Sequence, residues 1–160
     1  MILPFLFIVA LLNNIFLIAI FIIRKNDKKM PLLRKVGITY LSIFIPAAIL
    51  GIILSIVEMM EPYHAIFFAI FLAFLGLEVL FDYIMKVDFR TNWKLVVPYL
   101  LLYYAMNYGM FIMSWKQDAN LGSILLVLFI VQIIVNIWSH PRPGKKKHAT
   151  PGTLSAKNDA

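Results

Sequence analysis

The chain has 160 residues, of which 62% are hydrophobic and 14% charged, with 15 Lys and Arg against 8 Asp and Glu and no cysteine. A water-soluble fold of this length has too high a surface-to-volume ratio to hide that much apolar surface, so a soluble enzyme, a nucleic-acid-binding module and a disordered chain are excluded. The lack of cysteine removes disulfides, thiolate metal sites and cysteine nucleophiles. What remains is an all-α integral membrane bundle.

The first apolar run, 2–23, begins MILPFL without any Lys or Arg. It is longer than the ~7–15 residues of a signal-peptide core and has no small-residue cleavage pattern, so it reads as a retained span. The segment 24–35, RKNDKKMPLLRK, is a charged connection interrupted by Pro31. The second run covers 36–57. It ends at 58–64, EMMEPYH, where Pro62 favours a turn. The third covers 65–85 and is followed by KVDFRTNWK at 86–94. The fourth and fifth runs, 95–114 and 121–138, flank WKQDAN at 115–120. Each run falls within the range of ~17–25 helical residues that cross a hydrocarbon core. None alternates apolar and polar residues in the manner of a membrane β-barrel. The transmembrane domain therefore covers 1–140. Residues 141–160, rich in Pro, Gly and Lys, form a basic tail expected to be disordered because it has little apolar surface to bury.

Orientation follows from the basic residues. Segments 24–35 and 86–94, together with the tail, hold fourteen of the fifteen Lys and Arg and share one side of a five-span chain. The other side has Lys116 with Glu58, Glu61 and Asp118. The positive-inside rule then puts the N-terminus outside and the C-terminus in the cytoplasm. The basic segments would meet anionic lipid headgroups, not nucleic acid. Trp93, Trp115 and Trp138 fall at span ends, as interfacial indoles do. The expected location is the plasma membrane.

At 1.5 Å of rise per residue, Glu78 on the third helix lies ~4–5 Å to the cytoplasmic side of the midplane and Asp82 ~10 Å. Gln132 and Asn136 on the fifth helix fall at nearly the same two levels. Both pairs are spaced i, i+4 and so occupy one face of their helices. Tyr99, Tyr103 and Asn107 follow one face of the fourth helix, and Asn13 and Asn14 sit at the centre of the first. An intramembrane carboxylate is costly and marks function by default. The candidate binding cluster is thus Glu78, Asp82, Tyr103, Asn107, Gln132, Asn136, Asn13 and Asn14, with the acid pair expected to meet the amide pair. For the amides alone, interhelical hydrogen bonding is the simpler role. For Asp82 the simpler role is an interfacial pair with Lys86.

His64, His140 and His148 lie at separate levels, and no phosphate loop or metalloprotease motif occurs, so no metal, cofactor or catalytic triad is expected. Three functions stay open. The leading one is binding or translocation of a proton, a cation or a small amphipathic molecule through a polar, carboxylate-containing pocket, with Glu78 as the exchangeable group. The second is a non-catalytic accessory subunit whose polar residues face a protein partner or a second copy of the chain. The third is a lipid-modifying enzyme using Glu78 or Asp82 as acid or base. A polar face turned to lipid would favour the second. A buried cavity lined by Tyr103 and Tyr104 would favour the third.

Overall fold

The computed structural model describes residues 2–25, 30–85 and 92–139, and 94% of these residues are helical, with no strand among them. Five helices follow in order: α1 (Ile2–Arg24), α2 (Met30–Val57), α3 (Pro62–Glu78), α4 (Trp93–Gln117) and α5 (Ala119–Ser139). A π-helical segment, Val79–Met85, continues α3 without a break. All five helices are long and apolar enough to cross a membrane. The expected tail and Lys86 lie outside the described residues.

The helix ends have local causes. Helix α2 starts at Met30, not Val36, so Arg34 and Lys35 are helical. Pro31 stands in its first turn, where a missing N–H costs nothing. Pro62 opens α3 in the same way. At the end of α2, the Met59 N–H donates to the Ile56 carbonyl (3.2 Å) and the Met60 N–H to the Ser55 carbonyl (3.0 Å). This is a Schellman cap with Met59 at φ 49°, in the left-handed region that glycine usually fills. Asn92 caps α4 by accepting the Lys94 N–H through its side chain at 3.1 Å. Only Asp118 separates α4 from α5. It is extended (φ −153°, ψ 124°), and its Oδ1 accepts the Asn120 N–H at 2.7 Å. The chain thus reverses within a single residue.

Helices α1 and α4 are the central pair. Each packs on three others: α1 on α2, α4 and α5, and α4 on α1, α3 and α5. Helix α3 packs on α2 and α4. Aromatic rings fill the interior between α1, α2, α3 and α4, as in the edge-on contacts of Phe44 with Phe16 (5.7 Å) and with Phe71 (5.9 Å). The outer surface is apolar as well. Ile8, Ile15 and Ile22 on α1, and Ile130, Ile134 and Ile137 on α5, are all exposed. An apolar shell this continuous suits hydrocarbon and not water. Trp93, Trp115 and Trp138 are exposed near helix ends, and the Lys25 ammonium sits 3.0 Å from the centre of the Trp138 ring. Arg24, Lys25, Arg34, Lys35 and Lys94 gather at one end of the bundle, while Lys116 is at the other with Glu58, Glu61 and Asp118.

Candidate functional site

At the arginine-rich end, a cavity of about 470 Å³ opens between α1, α2 and the end of α3. Its walls follow helical spacing. Leu17, Ile20, Phe21 and Arg24 form one stripe of α1, and Leu33, Arg34, Gly37, Tyr40 and Leu41 one stripe of α2. The third wall carries Glu78, Asp82 and Tyr83. The cavity therefore faces an apolar interior, two guanidinium groups on one side and two carboxyl groups on the other.

The π-helical segment makes the third wall. In an α-helix a residue five positions on is turned by about 140° from its predecessor. In a π-helix the i→i+5 hydrogen bond brings that residue back over one turn. Glu78 and Tyr83 can then face one cavity together with Asp82. Gly37 makes room for the ring: a Cβ there would stand 2.6 Å from the Tyr83 hydroxyl oxygen.

Glu78 is half-buried and reaches inward, where its Oε1 accepts the Tyr99 hydroxyl of α4. Asp82 is exposed at the rim. Deeper between the helices, the Tyr40 hydroxyl donates to Asn13 Oδ1 at 2.7 Å, and Asn13 Nδ2 lies 3.9 Å from the Met110 sulfur. One buried network thus ties α1, α2 and α4 together beside the cavity.

The remaining cluster is arranged otherwise than the levels along the helices imply. Helices α3 and α5 are not a packed pair, since α5 lies against α1 and α4. The acid pair and the amide pair accordingly face different parts of the bundle. Gln132 is fully buried with its amide close to the Tyr103 hydroxyl, but neither amide atom makes a well-formed hydrogen bond. Asn136 is half-buried, and its carbonyl accepts the Ser139 hydroxyl. Asn14 and Asn107 donate to carbonyls of their own helices, Ala10 and Tyr103, both at 2.9 Å, leaving their side-chain oxygens unpaired. A buried donor or acceptor left unpaired costs about 1–3 kcal/mol. Tyr104 is exposed, and neither it nor Tyr103 lines the cavity.

In the sequence Arg24 and Arg34 read only as interfacial charge and Tyr83 as an aromatic of the membrane-interface belt, and Tyr40 carries no mark. The spacing 17, 20, 21, 24, an apolar stripe closed by an arginine, was a usable signal for the α1 wall. At the opposite end, a shallower cavity of about 540 Å³ is lined by residues that include Tyr63, His64, Lys116 and Gln117. His64 is buried and its Nδ1 lies 3.1 Å from the Glu61 carbonyl. Among the described residues, no three His, Asp or Glu side chains are placed to hold a metal ion. Comparison of the chain with protein-family models, with curated proteins and with solved structures finds no match.

Proposed function

We propose that the chain is a five-span plasma-membrane protein, N-terminus outside and C-terminus cytoplasmic, that binds or translocates a proton, a cation or a small amphipathic molecule through the α1–α2–α3 cavity. The observation that carries this reading is the placement of Glu78. Its carboxyl faces an open cavity on one side and a buried tyrosine hydroxyl on the other, the situation of a group that exchanges protons between a mouth and an interior. Arg24 and Arg34 at the rim give an anionic or headgroup-bearing molecule a place to dock. The accessory-subunit reading loses ground because Glu78, the deeper acid, points inward and not toward lipid. The enzyme reading gains nothing from Tyr103 and Tyr104, which lie away from the cavity.

The function is tested by reconstituting the purified protein in vesicles that contain a pH-indicating dye and imposing a potential. Acidification faster than in protein-free vesicles is the expected result. A rate equal to the blank, with no saturable binding of amphipathic anions either, would return the chain to the accessory-subunit class. Orientation is tested separately. Basic residues concentrated at one end of the bundle resist export, so a fluorescent protein fused after Ala160 is expected to fold and fluoresce while a periplasmic phosphatase there stays inactive. The reverse pattern inverts the topology.

A further inference from the structure

Seven buried side-chain atoms among the described residues lack a well-formed hydrogen bond within the protein: Asn14 Oδ1, Tyr103 Oη, Asn107 Oδ1, Ser114 Oγ, Gln117 Nε2 and both ends of the Gln132 amide, the last of which stands close enough to the Tyr103 hydroxyl to interact weakly with it. They are not scattered. Tyr103, Asn107, Ser114 and Gln117 fall within an arc of about 80° on α4, taking 100° per residue, and Tyr99 lies on the same arc. The middle of that face meets α1 and α5, while Tyr99 and Gln117 at its two ends adjoin α3. Asn13 of α1 reaches Met110 on it, and Gln132 of α5 stands beside Tyr103.

The stripe joins the two cavities. Tyr99 is bonded to Glu78, which lines the cavity at the arginine-rich end. Gln117 lines the cavity at the other end. From Tyr99 to Gln117 the rise along α4 is about 27 Å, close to the ~30 Å of a hydrocarbon core. Buried polar groups in folded proteins are paired with protein or with ordered water, and water settles where two to four such groups converge. A dry apolar seam would not place amides, a phenol and a hydroxyl along one face, here at 103, 107, 114 and 117, with Asn13 reaching the intervening turn at Met110.

We infer that the α1–α4–α5 seam holds a file of water molecules that carries protons between the Gln117 end and Glu78. This deepens the reading of Glu78 as an exchangeable carboxyl, rests on it, and makes the translocated species a proton. Each transfer conserves atoms. A water takes a proton on one lone pair and releases one of its own to the next, and Tyr99 passes its hydroxyl proton to Glu78 Oε1 as it accepts one from the nearest water. Glu78 then releases its proton into the cavity.

Two measurements on the full chain in lipid nanodiscs and vesicles test the path. X-ray hydroxyl-radical footprinting in ¹⁸O-water labels side chains next to bound water even where bulk solvent does not reach. Met110 and Met113, both buried on α4, are the reporters. They are expected to take up ¹⁸O while resisting added peroxide, and Gln132→Leu is expected to cut that labelling and the proton flux roughly tenfold together by interrupting the water contacts. Gln132→Leu removes no well-formed hydrogen bond, only the weak approach to the Tyr103 hydroxyl, so an unfolding midpoint within a few degrees of the wild type separates the effect from misfolding. Gln132→Asn, which keeps an amide, is expected to retain most of the flux. Unlabelled Met110 and Met113 in the wild type overturn the water file whatever the flux, leaving Glu78 to act through its own cavity. Labelling with flux unaffected by Gln132→Leu overturns the path. No flux in the wild type overturns both the path and the reading beneath it.

Discussion

In vesicles, Glu78→Gln is expected to bring proton flux down to the protein-free rate, a loss of about a hundredfold or more, the scale on which positioned acid–base groups act. The glutamine keeps an oxygen for the Tyr99 hydroxyl and nearly the same volume, so the unfolding midpoint in detergent is expected to move by no more than a few degrees. What is lost is the exchangeable proton. Asp82→Asn is expected to do less, because Asp82 is exposed at the rim while Glu78 is the half-buried acid that accepts the Tyr99 hydroxyl. Infrared difference spectra across pH give the second readout, since the carboxyl stretch of Glu78 must be absent in Glu78→Gln. Full flux in that variant sinks the relay and promotes the accessory-subunit reading.

The largest expected loss of stability lies far from the cavity, at the turn between α4 and α5. A Cβ on Gly122 would stand 2.6 Å from the Cα of Trp115. The obstacle is backbone, held by the one-residue reversal at Asp118, so it has little freedom to move aside. Gly122→Val is expected to cost at least the ~1–3 kcal/mol typical of overpacking, read as a drop of several degrees in the unfolding midpoint in detergent. Gly76 supplies the contrast: no atom lies within 4 Å of a Cβ placed there, and Gly76→Ala is expected to gain about 0.5–1 kcal/mol from the helix preference of alanine. Equal midpoints for the two variants would contradict the close approach of α4 and α5.

The helices were legible because crossing a hydrocarbon core demands long apolar runs, and composition records such runs directly. The start of α2 was not, for the same reason: hydropathy marks where a helix leaves the core, and Arg34 and Lys35 continue the helix beyond it. The π-helical register of Val79–Met85 has no compositional mark, since VLFDYIM reads as readily as an α-helix. Tyr83 therefore went unnoticed as a wall residue. The levels of Glu78 and Gln132 follow from rise per residue, but level is one coordinate of three. Which helix lies beside which, and which way a face points, depends on packing. That packing sets α5 against α1 and α4 and leaves Glu78 to Tyr99. The i, i+4 run of Tyr99, Tyr103 and Asn107 was visible in the sequence, whereas its partners on α1 and α5 were not.

The single-residue joint at Asp118 also bears on how the chain is made. Helix α4 is the least apolar of the five, and α5, directly after it, is markedly more apolar than α4. Two helices tied that closely cannot partition separately between the translocation channel and the lipid. In the proposed five-span arrangement they would leave as one hairpin, with α5 lending α4 the drive to insert that its tyrosines and Asn107 withhold. The polar stripe on α4 is then tolerable at synthesis because α5 covers part of it on arrival. A longer linker at position 118 would uncouple the two steps and leave α4 to partition on its own hydropathy.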